Sequence, residues 1–77
     1  MPPIPLDQLP PGTKARVVNV FAPGRWNYRL LQMGVVPGGI LEVVINNGRG
    51  PVVIRVMGVT LSLGRGIARR ILVEPLR

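Results

Sequence analysis

Side chains that could carry out acid–base, nucleophilic or metal chemistry are scarce in this sequence of 77 residues. It contains no histidine and no cysteine, which excludes imidazole bases, thiolate nucleophiles, disulfides and the usual zinc ligands. The three carboxylates, Asp7, Glu42 and Glu74, lie 35 and 32 residues apart, so the sequence places no two of them together for acid–base work. The other candidates are equally isolated: Lys14, Tyr28 and Ser62. We therefore predict no catalytic residue and no enzyme.

Metal binding would have to use a poor set of ligands. Besides the three carboxylates, the chain offers only the thioethers of Met1, Met33 and Met57. Ferrous iron and similar ions favour imidazole together with carboxylate, and the chain has no imidazole. The sequence therefore predicts no metal ligand and no cofactor.

Positive charge is the strongest compositional signal. Ten basic residues stand against three acidic ones, giving a net charge of +7, and nine of the ten are arginines spread along the chain. A small basic domain is a candidate for nucleic-acid binding, but such sites stack bases on aromatic side chains. Only Phe21, Trp26 and Tyr28 are available, and we expect the first two in the core. The pattern favours an acidic protein partner, with nucleic-acid binding as the alternative.

Short β-rich segments separated by Gly and Pro must position these residues. Alternating apolar and β-branched residues predict five strands, and Trp26, Leu30 and Met33 fall on one stripe of a helix that ends at Gly34. A Pro-rich arm precedes the first strand, and we expect a short turn in it to place Leu6 and Leu9 against the body of the domain. The predicted strands span 14–21, 40–45, 52–57, 59–63 and 70–74, and the predicted helix spans 25–33.

Five short strands and one helix favour a single, mainly all-β domain over residues 1–77, with the arm at 1–11. Closing the sheet into a small barrel removes most of its exposed edges, and either an SH3-like or an OB-like barrel fits this pattern. The first residues carry no basic segment followed by a long apolar one, so we expect a cytoplasmic protein without direct membrane insertion.

A set of motifs over residues 6–74 resembles the ferrous iron transport protein A (FeoA) family. In order, these are Leu6-x-x-Leu9-x-Pro11-Gly12, Arg29-Leu30-Leu31-x-Met33-Gly34-x-x-Pro37-Gly38, Gly50-Pro51-Val52, Gly58-x-x-Leu61-x-Leu63 and Ala68-x-x-Ile71-x-Val73. The resemblance implies an SH3-like barrel with a short helix inserted after the first strand. It also implies a non-enzymatic accessory protein of ferrous iron uptake, which contacts the cytosolic domain of the transporter, a FeoB-type GTP-binding membrane protein.

The predicted partner surface combines one helix face with one strand face. The helix stripe leaves Leu31 on a different side from Trp26 and Leu30, and Arg55 and Met57 share the outer face of a strand. A second copy of the chain is also a candidate partner. The predicted partner-binding residues are Arg29, Leu31, Gln32, Arg55 and Met57.

Overall fold

Alternating apolar residues form the strands of this protein, whose computed structural model describes residues 2–76. Met1, one of the three thioethers considered above, lies outside that range. The strands pair into one antiparallel sheet with the order β1-β6-β2-β3-β4-β5. They are β1 (Ile4–Pro5), β2 (Lys14–Val20), β3 (Ile40–Ile45), β4 (Val52–Val56), β5 (Val59–Leu63) and β6 (Ile71–Pro75).

Two helices and one 3₁₀ turn complete the fold. Helix α1 covers Gly24–Gln32, helix α2 covers Arg65–Ala68, and the 3₁₀ turn covers Leu6–Gln8. Within α1, Leu30 is fully buried and Trp26 packs half-buried against the core, which confirms two residues of the predicted stripe. The third, Met33, is half-buried and lies at the C-cap, because the helix ends at Gln32, one residue before the predicted end. Gly34 has a φ of +93°, a left-handed conformation that suits glycine after a helix end. No helix among residues 2–76 is both long and apolar enough to span a bilayer.

The core lies inside the curled sheet, beneath α1 and the N-terminal segment. In β3 and β6 inward residues alternate with outward ones up to Val43 and Val73, and these four inward residues are at most 2% exposed: Leu41, Val43, Ile71 and Val73. Leu6 and Leu9 are buried at 0% and 2% exposure, so the N-terminal segment contributes to the core as predicted. The mainly β architecture is confirmed.

Phe21 does not join the core, and the expectation that it would is wrong. Its side chain is 55% exposed, because β2 carries a bulge between Val17 and Asn19 where it pairs with β6. One inserted residue exchanges the inward and outward faces of the strand beyond it. Ala22 is therefore buried in the position that strict alternation would have given to Phe21.

The number of strands and the bounds of three strands differ from expectation, since β2 ends at Val20 and β6 spans Ile71–Pro75, each one residue from the predicted bounds. The structure has a sixth strand, β1, at the edge of the sheet. It contains Pro5, which an edge strand tolerates although proline is disfavoured in the interior of a sheet. Strand β4 ends at Val56, one residue early. Met57 and Gly58 instead have φ values of +51° and +78° and form the two-residue turn to β5. These angles match a type I′ turn, whose twist suits a hairpin.

Candidate functional site

An exposed methionine sits at the tip of the β4–β5 hairpin, against the end of α1. Met57 is 81% exposed, the largest exposure among the large apolar side chains of the described residues. A Cβ added to Gly34 would lie 2.6 Å from its Sδ atom, so the Met57 side chain crosses directly over this glycine. Gly34 leaves room for it. The hairpin tip and the helix end therefore form one continuous surface.

The helix end contributes a second exposed apolar side chain. Leu31 is 55% exposed, and its carbonyl accepts a hydrogen bond of 3.2 Å from the Gly34 amide. Gln32 is also exposed. Leu31 and Gln32 thus adjoin the glycine that Met57 covers.

A shallow groove of about 210 Å³ continues this surface onto the outer face of the sheet. Ile40, 45% exposed, lies in its wall together with Met57. Arg55 and Glu42 face each other there at 4.0 Å, with the arginine side chain 51% exposed, so the pair contributes little to stability. Its charges are accessible to a partner. The helix-end surface, as used below, comprises Leu31, Gln32, Ile40, Arg55 and Met57.

Arg29 lies on the Trp26 side of α1. Given about 100° per residue, it is about 160° around the helix from Leu31 and about 60° from Gln32. Its guanidinium lies 5.4 Å from the centroid of the Trp26 ring, a cation–π contact on the half-buried side of α1. The groove brings Arg55 and Met57 together with Ile40, which the partner prediction did not include, and Met57 in turn reaches Gly34 next to Leu31 and Gln32.

Arg65 forms a polar tie that sequence reasoning did not find. Its guanidinium donates to the carbonyl of Gly50 at 2.9 Å, to that of Asp7 at 3.1 Å and to Oδ1 of Asn46 at 2.6 Å. The Asn46 amide donates in turn to the carbonyls of Asp7 and Leu9 at 2.9 and 2.8 Å. The tie joins the N-terminal segment, the β3–β4 loop and α2. The local sequence gives no signal for these contacts, since a Cβ added at Gly64 or Gly66 would meet no atom and the flanking glycines are not needed to make room for the arginine.

The three carboxylates are separated in space and each faces a different arginine. Glu74 lies 3.7 Å from Arg16, Glu42 lies 4.0 Å from Arg55, and Asp7 lies 3.8 Å from Arg69. Across residues 2–76, no three acidic, histidine or cysteine side chains gather where they could hold a metal ion. The absence of a metal site and of a cofactor stays a prediction.

A second, basic groove opens beside α2. Its volume is about 580 Å³, and Arg69 and Arg70 both line it. Exposed Phe21 is close, since its amide donates to the Arg70 carbonyl at 2.8 Å. Phe21 is thus exposed near two arginines, whereas the sequence predicts it in the core.

Comparison with known proteins gives a consistent family. The model of the FeoA domain matches residues 4–75. A protein of Methanocaldococcus jannaschii assigned as Fe(2+) transport protein A is 46% identical over 46 residues, which are 60% of this chain and 55% of that protein. The chain therefore matches little more than half the length of that relative.

Solved structures agree in fold over nearly the whole chain. The crystal structure of an iron uptake regulatory protein (FeoA) is 35% identical and superimposes with a TM-score of 0.87, covering 96% of this chain and 99% of that one. The FeoA protein of Stenotrophomonas maltophilia, described as a prokaryotic SH3 domain protein and solved with zinc, is 28% identical. Its TM-score is 0.78 with 90% and 87% of the two chains covered. Of the two barrels left open above, the SH3-like one is confirmed.

Proposed function

Because the chain belongs to the FeoA domain family, we propose that it is a non-catalytic accessory protein of ferrous iron uptake. It acts in the cytoplasm by contact with the cytosolic, GTP-binding part of the iron transporter. The names of its relatives, an Fe(2+) transport protein A and an iron uptake regulatory protein, support the role in iron uptake. The transporter as partner is what the family resemblance implies, and the surface of this chain supports a contact with a protein.

The helix-end surface is the observation that carries the proposed contact. Two large apolar side chains, Leu31 and Met57, are more than half exposed; Met57 covers Gly34, whose amide is hydrogen-bonded to the Leu31 carbonyl. Apolar side chains held together at a surface and bordered by charge are typical of protein interfaces. Arg55 supplies that charge at the edge of the patch. The patch fits a partner surface with an apolar centre and an acidic border.

The overall charge supports the same class of partner. A net charge of +7 attracts acidic surfaces over distances of about 10 Å at moderate salt. It also suits work next to a membrane whose inner surface is negatively charged. The charge therefore steers the encounter, while the apolar patch holds the complex together.

Ferrous iron is the cargo of the transporter in this proposal and not a ligand of this chain. The donors available here do not fit the ion, because the chain lacks histidine and cysteine and its carboxylates are paired with three different arginines. The same shortage of acid–base groups supports a non-catalytic role.

Binding of the purified cytosolic part of the transporter tests the proposal. The double variant Leu31→Ala, Met57→Ala should weaken binding at least about tenfold, because exposed anchors of an interface are worth about 2 kcal/mol or more when truncated. Ile45→Ala is the matched control, since Ile45 is also 45% exposed but lies at the other end of β3, about 16 Å from Ile40. Unaltered binding by the double variant would contradict this choice of surface.

Nucleic-acid binding is the second candidate, favoured by one observation. Exposed Phe21 is joined through its backbone to Arg70, which lines the basic groove together with Arg69, and an aromatic near two arginines suits the stacking of a base and the binding of phosphates. Retention of RNA or DNA on a filter should then be measurable at low salt and fall steeply as salt rises. Phe21→Ala should reduce it. No retention at low salt would remove this candidate.

A further inference from the structure

The two edges of the sheet are built differently. One edge is β1, only two residues long and preceded by Pro2 and Pro3, which blunts it against pairing. The other edge is β5, five residues long, with the sequence VTLSL. It has no charged residue and no proline, and its register with β4 runs without a bulge over all five pairs. Strand β5 therefore lacks the devices that natural proteins use to protect an edge.

The hairpin turn determines which backbone groups of β5 are free. Because Met57 and Gly58 form a two-residue turn, Val56 and Val59 are a hydrogen-bonded pair, and such pairs alternate along an antiparallel ladder. The amide and carbonyl groups of Thr60 and Ser62 consequently point away from β4. Both residues are exposed, and among residues 2–76 no other segment forms a backbone hydrogen bond with their outward amide and carbonyl groups.

We propose that β5 takes up an extended segment of a partner protein as an added antiparallel or parallel strand. The free groups of Thr60 and Ser62 supply the main-chain hydrogen bonds, as in other cases of strand addition. This proposal relies on the function proposed above only for the identity of the partner. The edge of β5 is a second surface, separate from the helix-end surface, and it begins at Val59, two residues after Met57.

The two faces of β5 indicate the side chains that the added strand should carry. On the inner face, Val59 is 50% exposed and Leu61 packs only partly against the core, so apolar partners would cover them. On the outer face, Thr60 pairs with Arg55, whose exposed guanidinium favours an acidic neighbour. The segment therefore alternates apolar and acidic residues. A second copy of the chain is a poorer occupant, because two surfaces of equal positive charge would meet.

Amide hydrogen exchange on the full chain tests this proposal. The probe is a synthetic peptide of about eight residues that alternates valine and glutamate. Its binding should slow the exchange of the Thr60 and Ser62 amides at least about tenfold, the response to hydrogen bonds that close the edge. Binding of the peptide without protection of these two amides would overturn the proposal, as would no binding at all.

A proline variant gives an independent readout with the transporter's cytosolic part as ligand. Thr60→Pro removes an outward amide and leaves the β4–β5 ladder intact, so the chain should fold and bind at least about tenfold more weakly. Thr60→Ala keeps the amide and should bind within about twofold of the parent. If Thr60→Pro fails to fold, Ser62→Pro replaces it. A folded proline variant that binds like the parent would overturn the proposal.

Two further outcomes separate this proposal from the proposed function. Absence of binding between the parent chain and the transporter part, together with protected edge amides in the peptide experiment, would remove the function and support the strand addition. A concentration-dependent dimer of the parent chain that Thr60→Pro dissociates would assign the edge to a second copy. That result would overturn the inference of an acidic partner segment.

Discussion

Replacing Met57 by asparagine should make the protein more stable and less able to bind its partner. Met57 has a φ of +51°, a left-handed conformation that costs a residue with a Cβ roughly 1–2 kcal/mol. Asparagine tolerates this conformation best among the non-glycine residues, and Asn-Gly is the preferred pair for this type of turn. The substitution Met57→Asn therefore removes much of the strain.

The stability lost with the methionine side chain is smaller. Full burial of a methionine stabilises by about 1.5–3 kcal/mol, and Met57, at 81% exposure, is only about one fifth buried. Its contact over Gly34 is accordingly worth about 0.3–0.6 kcal/mol. The net expectation is a gain of about 1 kcal/mol, which for a domain of this size raises Tm by about 4–8 °C. Partner binding should fall, because the most exposed apolar side chain of the helix-end surface is gone.

Thermal unfolding by circular dichroism and binding to the transporter's cytosolic part measure the two effects separately. Met57→Leu is the matched control, since it keeps both an apolar side chain and the strained φ, and it should resemble the parent in both assays. A Tm of Met57→Asn at or below that of the parent would refute the strain argument. A more stable Met57→Asn that binds normally would instead refute the assignment of Met57 to the interface.

Two other substitutions test how the N-terminal segment is held. Arg65→Ala should lower the free energy of unfolding by about 2 kcal/mol in a denaturant titration, because it removes three donated hydrogen bonds, and Arg65→Lys should restore only part of that. An unchanged midpoint for Arg65→Ala would show that the tie adds nothing to stability. Leu6→Ala should cost about 2–5 kcal/mol, since the side chain is fully buried, and a loss below about 1 kcal/mol would mean that the segment is not part of the core.

A strained and exposed methionine is easier to explain by function than by folding. Backbone strain persists where surrounding structure holds it and is concentrated at binding sites. In the present structure, Gly34 leaves the space that the end of the Met57 side chain occupies, and the tight turn holds this side chain next to the helix end. A turn whose backbone is fixed before a partner arrives reduces the entropy lost on binding.

The sequence by itself determined the local elements and the chemistry that is absent. Strand β3 and helix α1 follow from apolar spacing, which is a property of neighbouring residues and does not depend on the rest of the chain. The lack of histidine and cysteine removes imidazole and thiolate groups from any catalysis or metal binding, and this conclusion needs no structure because composition is independent of fold. The family resemblance, carried by glycines and prolines at turns, was also available from the sequence.

Tertiary structure alone decided which side chains meet and which face outward. A single bulge in β2 moved Phe21 from the core to the surface, and alternation along the sequence cannot show a bulge. Met57 reaches Gly34 across 23 residues, and Arg65 reaches Asp7 across 58, through contacts set by sheet register and chain reversal. The free edge of β5 is likewise a property of strand order. Each of these depends on long-range pairing, which local sequence preferences do not encode.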